Sequence, residues 1–507
     1  MVAPPSPADG RPVITVSAAA AAAPLDARLF GTNLPAWVGP NSLGSDKIRA
    51  LTTALGTSVV RIPGGSWSSS YSWLACETGD GDGCYWTWAA KPTDFLNFVR
   101  ATGLQAMWTV SINGTAKEAA ALVAFFNGSV DDTTLIGVDV RGRDWKTVGD
   151  WAKLRAKNGN PKPLPITLWE VGNEVYGAKP ASGGDQCASW GWEDVWTCDG
   201  TEYMLGKGSG ADRHEGYLEF RAAMRAVDPT IMVGAVGVPH PGDWSGWGNK
   251  VIEKGGADLD FYSIHYYPYD KQPKSAEAIL SSAQNVWKDA MDSTNAAFDT
   301  LANGRRAPVA VTEYNLAAFQ DLDNGQLMTR AANALFIADM IGQMAVNGVT
   351  MANQWNLANG KANNGTDYGV IDVDSGKRAP QYYAMRLWSQ FGNALLPVES
   401  PLPAETTLSV YAGRSADGSI SVLAINKTDK PLDARVLIAG AAGARHATAN
   451  VVAAKNLEAT EITFNGVSDP ATDFSDAPAK DLGTIDGFLD YTFAPYAITL
   501  IRLAPSR

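Results

Sequence analysis

The chain has 507 residues, of which 45% are hydrophobic, and it carries a formal net charge of -12. This length exceeds one ordinary domain, but it accommodates a (β/α)₈ barrel of about 250 residues or more together with a second domain. The negative charge argues against a nucleic-acid partner, because that affinity depends on Lys and Arg neutralising phosphates. A neutral ligand fits better, and 17 Trp and 16 Tyr offer flat faces on which sugar rings stack.

The four cysteines form two local pairs, Cys76 with Cys84 and Cys187 with Cys198. Two short-loop disulfides are the simplest interpretation, and they indicate an oxidising compartment. A zinc site is the alternative, but the spacings do not fit CxxC pairs and His is scarce. No window reaches the roughly 18 apolar residues of a membrane span. Residues 1–11 lack the charged and apolar regions of a signal peptide, so we expect that any such peptide has been removed. Secretion is expected from the cysteines alone.

Eight short apolar runs alternate with longer segments of helical periodicity. The predicted strands are Leu29–Leu34, Ser58–Pro63, Leu104–Ile112, Ile166–Glu174, Thr230–Val238, Asp260–Tyr267, Pro308–Tyr314 and Gly348–Trp355. The helices predicted between them include Ser45–Leu55, Pro92–Thr102, Thr115–Asn127, Gly210–Val227, Ala276–Ala302 and Leu327–Val346. Strands that alternate with helices favour parallel βαβ units, and eight of them favour a closed barrel over an open sheet.

The character of the sequence changes after a last predicted barrel helix at Gln381–Trp388. Alternating half-buried strands follow, at Leu408–Ala412, Ile420–Ile425 and Ala497–Ile501. This pattern predicts a β-sandwich whose missing edge is filled by an N-terminal strand at Val13–Val16. The predicted fold class is therefore α/β, with a (β/α)₈ barrel over residues 28–395 and a sandwich over residues 396–507 that residues 1–27 join.

Two of the predicted strands end on a glutamate. Glu174 follows Asn173 at the end of the fourth strand, and Glu313 ends the seventh. Reactive residues of such barrels lie at the C-terminal ends of the strands, and strands four and seven face each other across the mouth. Facing carboxylates are the equipment for breaking a glycosidic bond, so we predict Glu174 as acid/base and Glu313 as nucleophile. The acid must keep its proton, which burial can arrange by raising its pKa. Solvated strand ends are the alternative.

Glu170 competes with Glu174 for the role of acid. It lies four residues earlier, on the same face of a continuous strand. Because it sits deeper in the barrel and lacks an adjacent Asn, we favour Glu174.

Several neighbours are predicted to bind substrate. Arg61, at the end of the second strand, is expected to give Glu313 a fixed positive charge, with a structural ion pair as the alternative. His265 and Tyr266 close the sixth strand. Asn173 is expected to hydrogen-bond the sugar 2-hydroxyl, an interaction that strengthens in the transition state. Stacking on a sugar ring is predicted for Trp355, Trp67 and Trp73, with packing in the core as the alternative.

Motifs for cofactors are weak or missing from the sequence. The segment Glu77–Gly83 is rich in oxygen ligands but lacks the full EF-hand pattern, so a solvated loop between Cys76 and Cys84 competes with a calcium site around Asp80 and Asp82. The sequence contains no P-loop, strand–GxGxxG–helix unit or HExxH motif. We therefore predict neither a nucleotide cofactor nor a catalytic metal.

The motifs resemble those of clan A (β/α)₈ retaining glycoside hydrolases. Asn173-Glu174 resembles the acid/base signature of the clan, and Thr312–Asn315 resembles its nucleophile strand. Arg61–Gly65 is similar to a run in family 51, which is α-L-arabinofuranosidase-like, and in family 44, which holds endoglucanases and xyloglucanases. Motifs of these two families are also resembled by Tyr71, Trp73, Phe30–Leu34 and Ser263–Pro268. The resemblance covers nearly the whole chain and implies a barrel with a sandwich that uses the N-terminus.

The sequence is compatible with three functions. The first is a retaining endo-β-1,4-glucanase or xyloglucanase, favoured by the aromatic content and by the Gly- and Trp-rich loops Cys187–Cys198 and Asp243–Gly248. The second is an exo-acting α-L-arabinofuranosidase, because the same loops can close off a pocket. The third is a non-catalytic carbohydrate-binding protein. The expected partner is a polysaccharide or oligosaccharide, bound by a monomer.

Overall fold

A closed barrel of eight parallel strands forms the middle of the chain. The computed structural model describes residues 10–79, 86–183, 186–441 and 443–506. The barrel strands are Gly31–Asn33, Val59–Ile62, Gln105–Val110, Leu168–Val171, Met232–Val236, Phe261–Tyr266, Val309–Tyr314 and Met351–Gln354. The eighth strand pairs with the first, Gln354 opposite Thr32, which closes the barrel. The predicted fold class is confirmed, and each observed strand lies within its predicted segment.

Local sequence signals set the bounds of the helices around the barrel. Ser45 caps helix Asp46–Leu55 by accepting a hydrogen bond from the backbone of Ile48, and Gly56 ends it with a φ of 76°. The other long helices are Pro92–Thr102, Ala116–Asn127, Val148–Lys157, Tyr217–Val227, Asp243–Gly255, Val286–Leu301, Ala331–Val346 and Pro380–Trp388. Shorter helices include Gly39–Gly44, Trp73–Thr78, Gly200–Leu205 and Ala276–Leu280. Within the described ranges, none of the helices has the length and apolar character that a membrane crossing requires.

The long helix predicted over residues 276–302 is wrong in one respect. The chain forms two helices there, and Asn285 between them takes a left-handed conformation with a φ of 67°. Such a residue interrupts helical hydrogen bonding, and Asn tolerates this conformation better than most residues.

Apolar side chains fill the N-terminal end of the barrel interior. One buried cluster there consists of Val59, Met107, Leu168, Phe261, Ala310 and Met351. These residues lie at or near the first positions of their strands, as in other barrels of this type, whose interior is a packed core and not a pore. Polar chemistry is therefore confined to the opposite end, where the strands finish.

Two facing β-sheets form the C-terminal domain. The N-terminal strand Val13–Ser17 lies in one of them, between Val398–Glu399 and Leu432–Ala439, and runs parallel to the latter. The facing sheet is built on Leu408–Arg414, Ile420–Asn426, Arg445–Ala453 and Ala497–Pro505. Ile14 and Val16 are buried in the core between the sheets, as strand alternation requires. The sandwich with its N-terminal strand is confirmed, while the boundaries at residues 27 and 395 remain predictions.

A buried ion pair joins the barrel to the sandwich. Asp339 lies on helix Ala331–Val346, and its carboxylate is 2.6 Å from the Nζ atom of Lys427, which follows a sandwich strand. The hydroxyl of Tyr411 also donates to Asp339, at 2.5 Å. Both charged side chains are almost completely buried. Such a pair is costly to break by removing one partner, because the other charge then stays buried and uncompensated.

Candidate active site

A cavity of about 800 Å³ at the C-terminal ends of the barrel strands contains both predicted glutamates. Glu313 lies in the seventh barrel strand, and Glu174 follows the fourth. An oxygen of Glu174, an oxygen of Glu313 and a ring nitrogen of His265 all lie within 4.8 Å of one another. The two carboxyl groups therefore face each other at close range.

A turn, not a strand, presents Glu174 to the cavity. The fourth strand ends at Val171, so the predicted continuation to Glu174 is wrong. Gly172 has a φ of 86° and Glu174 a φ of 41°, both left-handed. For a residue with a side chain this conformation is strained by about 1–3 kcal/mol, and such strain is concentrated at functional sites. Strand alternation therefore does not relate Glu170 to Glu174, and the turn gives Glu174 its own direction.

Arg61 is the fixed charge at the centre of the site. Its Nε atom lies 2.6 Å from Glu170 and its Nη1 atom 2.8 Å from Glu313. Its Nη2 atom donates to the side-chain oxygen of Asn173 at 2.8 Å. The fixed positive charge that was predicted beside Glu313 is thus present. Arg61 is 0% exposed, however, so its guanidinium is not accessible for direct contact with a substrate.

Glu170 is held as the ionised partner of Arg61. Burial alone would raise the pKa of Glu170, but the charge of Arg61, followed by that of His265, keeps this pKa below its ordinary value. Glu170 also accepts a hydrogen bond from Thr312 at 2.8 Å. It therefore belongs to the support of the site, beneath the cavity.

Both oxygens of Glu313 have donors. Arg61 donates to one, and the hydroxyl of Tyr267 donates to the other at 2.7 Å. Tyr266, which the sequence analysis selects, instead packs its ring against Trp287 at 5.2 Å and does not line the cavity. Alternation along the strand places His265 and Tyr267 on one face and Tyr266 on the other, so the residue pattern already contained the signal for Tyr267.

His265 connects the two ends of a hydrogen-bonded chain. Its Nδ1 atom lies 2.8 Å from Glu174, and its Nε2 atom lies 3.1 Å from the hydroxyl of Thr312. Because the Thr312 hydroxyl gives its proton to Glu170, its oxygen must accept from Nε2 of His265. This assignment leaves Nδ1 of His265 and the carboxyl of Glu174 to share one proton.

The pKa shifts follow from this chain. Burial opposes the charged form of His265, but the charges of Glu313 and Glu174 raise its pKa above the ordinary value. Burial likewise opposes ionisation of Glu174, but hydrogen bonds from His265, Trp192 and Tyr176 lower its pKa. The expectation of a raised pKa for the acid is therefore not met in the free protein. Both shifts favour a proton on Nδ1 of His265 over one on Glu174.

The cluster of Glu174, His265 and Glu313 has the ligand atoms that a cation can use. Its surroundings do not favour one. The guanidinium of Arg61 lies 2.8 Å from Glu313 and repels a positive ion, and hydrogen bonds within the site already use the facing atoms. The arrangement is better suited to proton transfer than to metal binding.

Glu193 is a buried acid that the sequence analysis does not select. It accepts hydrogen bonds from Ser66 at 2.6 Å, Ser69 at 3.1 Å and the amide nitrogen of Asn173 at 3.0 Å. Burial, followed by the charge of Glu174, raises its pKa to about 8. Asn173 is thereby fixed between Arg61 and Glu193. Only the folded loop brings Glu193 to this position, so its place in the sequence carries no signal.

The raised pKa of Glu193 predicts a pH-dependent stability. A carboxyl whose folded pKa exceeds its unfolded pKa stabilises the fold fully below the unfolded value, and this contribution is lost as the pH rises through about 8. Between about pH 5 and about pH 9, we expect the free energy of unfolding of the unchanged protein, measured with urea, to fall by on the order of a few kcal/mol. The variant Glu193→Gln should not show this fall. Near pH 5 the two proteins should have the same free energy of unfolding. Parallel losses in both would contradict a neutral Glu193.

The predicted aromatic residues separate into two groups. Trp355 and Trp67 line the cavity, and Trp67 stacks on Trp86 with ring centroids 3.9 Å apart. Trp73 does not line it. Its ring is buried against Phe125 and Trp151, because a short helix turns it into the core beside the barrel. The cavity is also lined by Trp37 and Tyr176, and by Trp190, Trp192 and Trp244 of the loops Cys187–Cys198 and Asp243–Gly248, which were expected to shape a cleft or pocket.

The disulfide between Cys187 and Cys198 is confirmed, with Cα atoms 5.6 Å apart. It closes the loop that carries Trp190, Trp192 and Glu193. The predicted partner Cys84 and the oxygen-rich loop at Asp80 and Asp82 lie outside the described residues. The Cys76–Cys84 bond and the calcium alternative therefore remain predictions.

The fold and motifs are similar to those of clan A glycoside hydrolases of families 51 and 44, as the resemblance implies. No protein-family model matches the chain. Among solved structures, an α-L-arabinofuranosidase from Thermotoga maritima in complex with arabinose aligns with a TM-score of 0.72 and 19% identity, covering 97% of this chain and 100% of that one. A family 44 xyloglucanase from Paenibacillus polymyxa aligns with a TM-score of 0.61 and 13% identity, covering 97% and 99%.

Curated relatives are similar over a part of the sequence. A probable α-L-arabinofuranosidase C from Aspergillus clavatus is 25% identical over 251 residues, which are 45% of this chain and 40% of the relative. An intracellular exo-α-(1→5)-L-arabinofuranosidase from Bifidobacterium longum is 24% identical over 262 residues, 47% of this chain and 38% of the relative. The matched segment thus spans about two fifths of these relatives.

Proposed function

We propose that this chain is a retaining glycoside hydrolase of plant-type polysaccharide, with Glu313 as nucleophile and Glu174 as acid/base. The observation that carries the proposal is the distance of at most 4.8 Å between oxygens of the two carboxyl groups. Double displacement uses carboxyl groups about 5–5.5 Å apart, whereas inverting enzymes leave about 6.5–9.5 Å for a water molecule. The close spacing favours double displacement.

The contacts of Glu313 suit a nucleophile. Arg61 and Tyr267 hold its two oxygens by hydrogen bonds, which fix the direction of attack. In the first step a Glu313 oxygen bonds to the anomeric carbon as the bond to the leaving oxygen breaks. The result is a glycosyl ester on Glu313.

Glu174 is suited to move the proton in both steps. In the first step it gives the leaving oxygen the proton that it shares with His265, at 2.8 Å. In the second step it takes a proton from water, whose oxygen attacks the anomeric carbon and frees Glu313. Asn173, held by Arg61 and Glu193, has a second amide hydrogen with which to bind the sugar 2-hydroxyl.

The curated relatives favour an α-L-arabinofuranosidase as the specific activity, because both carry that name, and the relative from Bifidobacterium longum is named as exo-acting. This reverses the order expected from the sequence alone. An endo-β-1,4-glucanase or xyloglucanase remains the second candidate. The observation in its favour is the cavity of about 800 Å³, which several tryptophans line and which suits a chain of several sugars. Secretion and a monomeric state are part of the proposal.

Hydrolysis of three substrates tests these activities. We expect release of 4-nitrophenol from 4-nitrophenyl α-L-arabinofuranoside, and little release of reducing ends from xyloglucan or carboxymethyl cellulose. Activity on the polysaccharides alone would select the second candidate. Proton NMR during the first turnovers should show a product with the anomeric configuration of the substrate, and an inverted product would reject double displacement.

A further inference from the structure

A cluster of four aromatic residues forms one wall of the cavity, next to Glu174. Trp190 and Trp192 stack with ring centroids 5.7 Å apart, and Trp244 lies 4.9 Å from Trp190 and 5.5 Å from Trp192. Tyr176 completes the cluster at 5.2 Å from Trp244. We name these four residues the Trp190 wall. All four line the cavity.

The backbone of the disulfide-closed loop holds this wall in place. The amide groups of Trp192 and Glu193 both donate to the carbonyl of Gly177, at 2.8 and 2.9 Å. The Cys187–Cys198 bond joins the two ends of the loop. The wall is thus attached to the segment that directly follows Glu174, so its rings keep a fixed relation to that carboxyl.

Two hydrogen bonds connect the Trp190 wall to the proton donor itself. The indole nitrogen of Trp192 donates to one oxygen of Glu174 at 2.6 Å, and the hydroxyl of Tyr176 donates to the other at 3.2 Å. In the proposed reaction Glu174 protonates the leaving oxygen. A group bonded to that oxygen therefore lies beside Glu174, which the Trp190 wall contacts through these two hydrogen bonds.

The exposure of Trp190 indicates that the wall receives a ligand. Trp190 is 64% exposed, although it belongs to a contiguous aromatic surface and is not a scattered apolar residue. Contiguous exposed apolar surface beside a cavity marks a binding site. The four members of the wall are neutral aromatic residues, which suits a neutral ring more than a charged group.

From these contacts we propose that the Trp190 wall is a binding subsite for the neutral sugar ring of the leaving group. The inference rests on the proposed function and deepens it, because it holds for either specific activity. It makes Trp190, the most exposed ring of the wall, a determinant of specificity for substrates whose leaving group is a sugar. Trp192 also supports Glu174 and is a less selective probe.

The experiment compares substrates that share a glycone but differ in the leaving group. The probes are α-L-arabinofuranosyl fluoride with an α-1,5-arabinotriose, or β-cellobiosyl fluoride with cellotetraose, according to the glycone that the unchanged protein hydrolyses. Fluoride has no ring to place on the wall. We expect Trp190→Ala to lower kcat/KM for the oligosaccharide about tenfold or more, and for the fluoride by less than about twofold. Trp190→Phe should recover most of the loss.

Controls separate this inference from the proposed function. Phe488→Ala removes a 39% exposed ring on the sandwich and should change neither rate. Equal losses on both substrates with Trp190→Ala, or no loss on either, would overturn the subsite. If the unchanged protein cleaves neither substrate, the proposed function fails. Calorimetric titration with the two oligosaccharides then tests the subsite. Weaker binding by Trp190→Ala than by the unchanged protein supports the subsite. Equal binding by the two proteins, or binding by neither, rejects it.

Discussion

Replacing Glu313 with alanine should lower kcat by about a thousandfold or more, because the carboxylate that forms the glycosyl ester is removed. Its two hydrogen-bond donors, Arg61 and Tyr267, have no function in attack themselves. The measurement is steady-state turnover of whichever panel substrate the unchanged protein cleaves. Binding of oligosaccharide by calorimetry should persist, since the aromatic walls remain.

The matched control for Glu313→Ala is Glu253→Ala, which removes an exposed glutamate on helix Asp243–Gly255. It should leave turnover unchanged. Urea unfolding of both variants checks that loss of activity is not loss of fold, because Arg61 keeps Glu170 as a partner when Glu313 is gone. Turnover within tenfold of the unchanged protein would remove Glu313 as nucleophile. Equal, negligible turnover in all forms would favour a carbohydrate-binding protein without catalysis.

Replacing Glu174 with alanine should lower turnover by about 10²–10⁴-fold on substrates with poor leaving groups, the usual contribution of a general acid. The loss should be much smaller with a 2,4-dinitrophenyl glycoside, whose leaving group needs no proton. The second step then becomes limiting, because water lacks its base. Added azide needs no base, so it should restore the rate and give a glycosyl azide of retained configuration, which NMR identifies.

Glu170→Ala is the matched control for this experiment, since it removes the acid that lies four residues earlier. Glu170 binds Arg61 and Thr312 beneath the cavity, so its loss should reduce stability and activity together. Azide should not rescue it. Rescue of Glu170→Ala, without rescue of Glu174→Ala, would exchange the roles of the two residues.

The barrel was predictable from the sequence because its signals are local. Each strand is a short apolar run that ends at a polar or Gly-marked break, and each observed strand lies within its predicted segment. The helix ends at Gly56 and Gly103 were equally local, since both glycines take left-handed conformations that favour Gly. The two glutamates followed from the same rule, which places chemistry where barrel strands finish.

The remainder of the site depends on contacts between distant segments. Glu193 and Trp192 reach Asn173 and Glu174 only because a loop of about twenty residues folds back over the strand end, which no periodicity encodes. Trp73 was misplaced for a related reason. A Trp after a turn has the same sequence appearance whether the next helix directs it into the cavity or into the core. Strand alternation, in contrast, distinguishes Tyr267 from Tyr266.

The ion pair of Asp339 and Lys427 bears on how the molecule can be divided. A different sandwich packed on the barrel would bury Asp339 again, but without a lysine at the position of Lys427 it would lack the only lysine within 4.0 Å among the described residues. Leaving one member of such a pair alone costs about 3–5 kcal/mol, a large share of the net stability of a domain. Exchange of the sandwich, by protein engineers or by gene recombination, therefore requires either a lysine at the position of Lys427 or a neutral residue at position 339.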